Sequence, residues 1–169
     1  MTETVFHEFP PLYDKESRVL ILGTIPSPKS REQGFYYGHP RNRFWKILAQ
    51  VFGEPEPRTI EEKKQLALNH HVALWDVLAS CSIDGASDSS IKNVVPNDMN
   101  VILSMADIKA IFTTGTKATA LYRKHCEPIC HVPCTGLPST SPANCRIGDA
   151  ELLSSYLKIL EYLPETQVQ

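Results

Sequence analysis

The stretch RVLILG, residues 18 to 23, decides the architecture of this chain. It is an apolar run of strand length closed by a glycine. A strand covered on both faces reads as a continuous apolar run rather than an alternating one, so this pattern predicts a buried parallel strand that gives way to a loop. The loop that follows, TIPSPKSREQ, is rich in proline and serine. From Asn42 the apolar spacing becomes helical, with Phe44, Ile47, Leu48 and Val51 on one stripe that stops at Gly53 and the Pro55/Pro57 pair.

The rest of the chain extends this strand, loop and helix order. Thr59 and Glu62 have the spacing of a capping box and open a helix to about Asn69, after which VALWDVL reads as a short strand running into a loop. Residues 80 to 100 are rich in serine, aspartate and asparagine and read as irregular, with Asn97 or Asp98 able to cap a helix through Met105. IKAIFTTG repeats the strand that ends in glycine, and TKATALYRKH is its helix. A last strand is expected near residues 129 to 134, then the loop TGLPSTSPANCR and a helix from about Asp149 to Leu163. This alternation predicts an α/β fold: a three-layer α/β/α sandwich around a central, mainly parallel sheet of about four strands. A single domain over residues 1–169 is expected, with residues 1–16 as an N-terminal extension and 164–169 as a disordered tail.

Composition narrows the function classes. The net charge of −2 leaves no global basic field of the kind that dominates non-specific DNA binding, so any nucleic-acid contact must be local. The cationic residues are uneven: Lys29, Arg31, Arg41, Arg43 and Lys46 crowd one segment, and Glu54, Glu56, Glu61 and Glu62 the next. No stretch approaches the roughly 20 apolar residues of a membrane span, and the first residues, MTETVFHEFPPLYD, do not read as a secretory signal. A cytoplasmic location, no membrane contact and a monomeric state are expected.

Five cysteines, an odd number, argue against a disulfide framework. In HCEPICHVPC the uniform gaps between His125, Cys126, Cys130, His131 and Cys134 match no trusted ligand spacing, and a strand using cysteine as a small hydrophobe is the simpler reading. No metal or organic cofactor is expected. GTIPS, residues 23 to 27, lacks the glycine pattern of a dinucleotide loop and the Gly-Lys-Ser/Thr of a phosphate loop.

In an open parallel sheet, ligands bind outside the carboxyl ends of the strands. Three loops should converge there: GTIPSPKS, the segment near Cys81 to Asn93, and GLPSTSPAN. YYGHPRNRFW, residues 36 to 45, points the same way. Pro40 holds His39 extended, and Asn42 stands where a side-chain oxygen caps the following helix. Asn42 is therefore a cap, a functional amide or both. Asp76, in LWDVL, is either a general base or a loop cap at a strand end.

Taken in order, Gly-x-x-Pro after the first strand, Tyr-Tyr-Gly-His-Pro-Arg-Asn-Arg-Phe-Trp, and Leu-Pro-Ser-Thr-Ser-Pro-Ala-Asn near the end resemble the uracil-DNA glycosylase superfamily, most closely its hypoxanthine (deoxyinosine) DNA glycosylase branch. HPRNRFWKIL also resembles the mismatch-specific uracil/thymine glycosylases. The resemblance spans roughly residues 17 to 160. It implies a monofunctional DNA glycosylase that flips a deaminated base from double- or single-stranded DNA and hydrolyses its bond to the sugar, leaving an abasic site. Hypoxanthine is the leading base; uracil, mismatched thymine and xanthine are the alternatives within the class. A non-catalytic nucleic-acid-binding module is the alternative outside it.

The resemblance also implies site residues. Uracil-removing members carry Asp or Asn where Ile25 stands, and His where Leu137 stands, so Asn42 becomes the catalytic candidate. The implied base pocket comprises Gly23, Thr24, Ile25, Pro26, Tyr36, Tyr37, His39 and Ser139, with Tyr37 or Tyr36 stacking on the base. Implied DNA contacts are Ser27, Arg41, Arg43, Ser139, Thr140, Ser141, Pro142, Ala143, Asn144 and Arg146, the loop from Pro142 to Arg146 being placed to wedge into the duplex.

Overall fold

The computed structural model describes residues 2–7 and 9–164. In chain order the elements are β1 (Thr2–Phe6), β2 (Val19–Gly23), α1 (Pro28–Gln33), α2 (Phe44–Val51), α3 (Ile60–Asn69), β3 (Val72–Asp76), β4 (Leu78–Asp84), β5 (Ser87–Pro96), α4 (Asn100–Leu103), β6 (Ala110–Thr114), α5 (Thr116–His125), α6 (Glu127–Cys130), β7 (Cys134–Leu137) and α7 (Asp149–Tyr156). Single 3-10 segments cover Pro142–Asn144 and Leu157–Tyr162.

β3, β2, β6 and β7 form, in that order, a four-stranded parallel sheet. Every residue of β2 and β3 is buried, which is why both read as continuous apolar runs. Helix α3 packs on β3, α5 on β6 and β7, and α2 on α7, giving the three-layer α/β/α sandwich that the alternation predicts. From β2 the chain passes to β3 on one side, and from β6 to β7 on the other. The loops leaving β2 and β6 therefore diverge, and a crevice opens between them. The helix expected from Asn42 begins at Phe44, and Thr59 Oγ1 accepts the Glu62 backbone N–H at 3.1 Å as the capping spacing requires.

Two expectations are corrected. Residues 80–100 are not an irregular loop: β4 and β5 form an antiparallel hairpin turned at Gly85 (φ 58°) and Ala86. Only Cys81, Ile83 and Ile91 of the hairpin's central rows reach the core, and bulges interrupt the register, so neither composition nor alternation betrays the strands. Ahead of the parallel sheet, two N-terminal segments are tied to the rest of the chain. β1 pairs with β4, and Leu12 bridges to Leu74 of β3. The last strand lies not at 129–134 but at 134–137, because Pro128 sits in the first turn of the short helix α6, where its missing N–H costs nothing. Pro133 cannot donate to a ladder, and pairing with β6 starts one residue later. The proline-rich loop also holds the short helix α1, capped by Ser27, whose Oγ accepts the Ser30 N–H at 3.2 Å. Of the expected tail, residues 165–169 lie outside the described residues.

Candidate active site

The carboxyl ends of β2, β3, β6 and β7 floor a cleft of about 1310 Å³. The parallel register places Gly23 beside Asp76 and Thr114 beside Leu137, so these residues meet because the strands pair as they do. Val77 N–H donates to Gly23 O (2.8 Å) and Leu78 N–H to Thr24 O (3.0 Å), which fastens the exits of β2 and β3 to each other. Gly23 is required by close approach. A Cβ there would stand 2.6 Å from Asp76 Oδ1, 3.4 Å from the Tyr37 hydroxyl and 3.7 Å from Thr114 Oγ1.

Asn42 stands on the cleft wall, where two loops join. Its Oδ1 accepts from Phe44 N–H (2.9 Å) and from Thr140 Oγ1 (2.8 Å), and Arg43 N–H donates to Thr140 O (3.1 Å). Arg43 is the N-cap residue of α2 and its side chain makes no cap bond, so Asn42, one residue ahead of it, serves the first helical N–H from outside the cap position and is also the tie to the late loop. Because Phe44 N–H fixes which end of the amide is oxygen, the end left open to the cleft is the Nδ2 donor, which takes no partner among the described residues.

Tyr37 sits at φ 53°, a strained conformation for a non-glycine residue and one often stored at functional sites. One face of its ring stacks on Phe44, with centroids 3.9 Å apart, and its hydroxyl lies 3.5 Å from Thr114 Oγ1. Burial, and then the Asp76 charge, push the Tyr37 phenol well above its ordinary range, so it remains a neutral donor. Tyr36 touches the cleft but is 2% exposed: it donates to Pro10 O (2.9 Å), accepts Trp45 Nε1–H on its carbonyl (2.9 Å) and is ringed by His7, Phe9 and Phe35. Between the two candidate stacking faces, the geometry favours Tyr37.

His39 lines the cleft and also braces its own turn: its Nδ1 accepts the Arg41 N–H at 3.0 Å, and its carbonyl accepts the Asn42 N–H at 2.9 Å. In the late loop, Ser139, Thr140, Ser141, Pro142, Ala143 and Asn144 all reach the cleft, as do Thr24, Ile25, Pro26 and Ser27 of the early one. Much of their polarity is spent internally. Ser139 Oγ accepts the Ser141 N–H (3.1 Å), Ser141 Oγ the Ala143 N–H (3.2 Å), and Asn144 Nδ2 donates to Ser139 O (2.9 Å).

The arginines part company. Arg41 and Arg146 are exposed and lie off the cleft lining. Arg43, expected to meet phosphate, turns inward: it donates to Ile147 O (2.7 Å), Asn144 O (3.0 Å) and Asp149 Oδ1 (3.2 Å) and so braces the late loop. Hydrogen bonds from Lys46 and Arg43 hold the Asp149 carboxyl below its ordinary range. Arg43→Ala should cost about 2 kcal/mol, the scale of hydrogen bonds from a charged group, and lower Tm by roughly 4–8 °C. A thermal melt beside wild type checks this.

Other cleft residues were left open by the sequence or carried no mark in it. Asp76 does not cap a loop: it is 4% exposed, with Oδ2 at 2.7 Å from His7 Nε2. Thr114 lines the cleft at the end of β6, and its place directly before the strand-closing Gly115 is the sequence signal for it. The hairpin tip (Gly85 to Asp88) does converge on the site as its position suggested, and Lys117 and Arg123 of α5 place cations on the lining where no motif marked them. Among the described residues no group of three His, Cys, Asp or Glu side chains could hold a metal. Burial, then the neighbouring Cys130 and Cys134, pushes the Cys126 thiol up to about 11. No described helix is long and apolar enough to cross a membrane.

The chain is similar to proteins of one known family. The family described as the Uracil DNA glycosylase superfamily matches residues 10–163. A hypoxanthine DNA glycosylase of Methanosarcina acetivorans is 34% identical over 145 residues, covering 83% of this chain and 89% of that protein. One of Methanosarcina barkeri is 33% identical over 112 residues, covering 65% and 71%. The solution structure of a candidate uracil DNA glycosylase from Methanosarcina acetivorans superposes with a TM-score of 0.77 at 28% identity, covering 95% of this chain and 99% of that one. With the crevice at the sheet's carboxyl end and the two loops tied through Asn42, these matches establish that the chain belongs to the uracil DNA glycosylase superfamily and is a DNA N-glycosylase.

Proposed function

We propose that this enzyme excises hypoxanthine from DNA by hydrolysis and acts as a monomer. The observation that carries the reading is Asn42: an amide on the cleft wall whose oxygen is locked by Phe44 and Thr140, leaving a fixed N–H donor open to the cleft. The names of the two Methanosarcina relatives support the choice of base. In the reaction, the C1′–N9 bond breaks, its electron pair goes to the purine, and water adds to C1′ and gives up a proton, so that free hypoxanthine and an abasic sugar result. The departing purine gathers negative charge, and donors held in place before the reaction stabilise that charge without reorganising. Asn42 Nδ2 is such a donor; an amide is no base, so its role is orientation and charge stabilisation.

Tyr37, backed on one face by Phe44, offers its other face to the flipped base. Tyr37→Ala should raise KM about 10- to 100-fold, the range expected for one lost base–aromatic stack, whereas Tyr37→Phe should stay near wild type. Lys117 and Arg123 on the lining, and Arg41 and Arg146 outside it, are the phosphate-binding cations in this reading. The direct test is a duplex carrying deoxyinosine, assayed for free hypoxanthine and for alkali-labile cleavage, beside uracil, xanthine and G·T substrates. Release of another base with hypoxanthine untouched would replace the substrate, and release of none would leave a binding module.

A further inference from the structure

We infer that His7 is a positioning residue of the active site: it grips one oxygen of Asp76 so that the other becomes a fixed acceptor for the ring N–H of a deaminated base. The inference rests on the glycosylase reading and deepens it. His7 Nε2 and Asp76 Oδ2 lie 2.7 Å apart, with the side chains only 3% and 6% exposed. The other oxygen, Oδ1, hangs over Gly23 at the cleft floor and takes no hydrogen bond from the described residues. The backbone that carries this carboxylate is fixed as well. Asn97 Nδ2 holds Asp76 O at 2.9 Å, and the Val77 N–H to Gly23 O bond pins the next residue. His7 is itself held among Phe9 and Tyr36, with ring centroids 4.8 and 5.8 Å away.

A carboxylate only accepts. Deamination turns the bare ring nitrogen of adenine or cytosine into an N–H, as in hypoxanthine N1–H. A fixed acceptor on the cleft floor therefore rewards the changed atom and opposes the lone pair of the undamaged base. Sites built to bond a substrate N–H discriminate strongly against analogues that lack it. Guanine shares the N1–H, so its exclusion falls to other contacts. His7 makes the acceptor directional, because without it the carboxylate is free to rotate.

Asp76→Asn tests this without changing shape. The His7 Nε2–H would keep the amide oxygen, so the amide NH2 would face the cleft and the fixed acceptor would become a donor. Binding is read by fluorescence anisotropy on duplexes carrying 2′-fluoro nucleotides of hypoxanthine or of unsubstituted purine, which has a bare N1. These resist cleavage, so the result is independent of turnover. Wild type should favour hypoxanthine by roughly tenfold, the scale of one buried hydrogen bond. Asp76→Asn should invert the preference, and adding His7→Ala should erase the inversion, because the amide can then flip. His7→Gln in place of His7→Ala should retain it. A wild type without preference, an Asp76→Asn enzyme that still favours hypoxanthine, or an inversion that survives His7→Ala overturns the inference. A wild type that shows the preference but releases no hypoxanthine overturns the proposed function and leaves this inference standing.

Discussion

Asn42→Asp is expected to melt within a few degrees of wild type yet release hypoxanthine about 100-fold more slowly or worse, the scale of losing one preorganised donor at a developing charge. The substitution is chosen for what it preserves. Aspartate supplies an oxygen to Phe44 N–H and to Thr140 Oγ1, so the helix cap and the tie between the two loops survive. Only the cleft-facing atom changes, from an N–H donor to an anionic oxygen that repels the charge of the departing base. Asn42→Ala removes everything at once and should add a stability loss of about 1 kcal/mol, as for a missing cap. Single-turnover base release beside a thermal melt separates the two variants. If aspartate supports wild-type chemistry, the group at this position works as an acceptor or base and the donor assignment fails. If alanine costs only stability, Asn42 is a cap.

What the sequence made legible is what local pattern can encode. RVLILG is a buried parallel strand with both faces covered, so its apolar run is unbroken, and IKAIFTTG, though broken by Lys109 and two threonines, is closed by a glycine in the same way. Asn42 was visible because a cap is a local device set by one side chain and the next few N–H groups. The β4–β5 hairpin was hidden because its exposed faces are serine, aspartate and asparagine, and its few inward residues are spread across bulges. The inward turn of Arg43 could not be read, since its partners Asn144, Ile147 and Asp149 lie some hundred residues away in sequence. The same holds for Asp76: its partner His7 follows directly on β1, sixty-nine residues earlier, and no spacing rule joins them. The residues of the site that sequence could name are those on its loops, and those it could not are held by non-local pairing.

Gly23→Ala should damage both the fold and the activity. The glycine is not needed for backbone freedom; it is needed because the floor of the cleft is already full. The added carbon would sit 2.6 Å from Asp76 Oδ1 and 3.4 Å from the Tyr37 hydroxyl, and contact as close as the first cannot persist. Asp76 has no retreat, with Oδ2 on His7, its carbonyl on Asn97, and β2 and β3 paired residue for residue at Gly23 and Asp76. Either the carboxylate leaves His7 or the two strands shift. Overpacking of this kind costs about 2 kcal/mol, a fall in Tm of roughly 4–8 °C. Activity should fall further than stability does, because a base seated on a raised floor is displaced from Asn42 by about 1 Å, and misplacement of that size costs on the order of 100-fold in rate. Gly148→Ala, where an added methyl meets nothing within 4 Å, serves as the control and should change neither reading. A Gly23→Ala enzyme with wild-type rate and melting temperature would mean that the floor yields, and the close approach of Gly23 to Asp76 would then have no part in how the base is held.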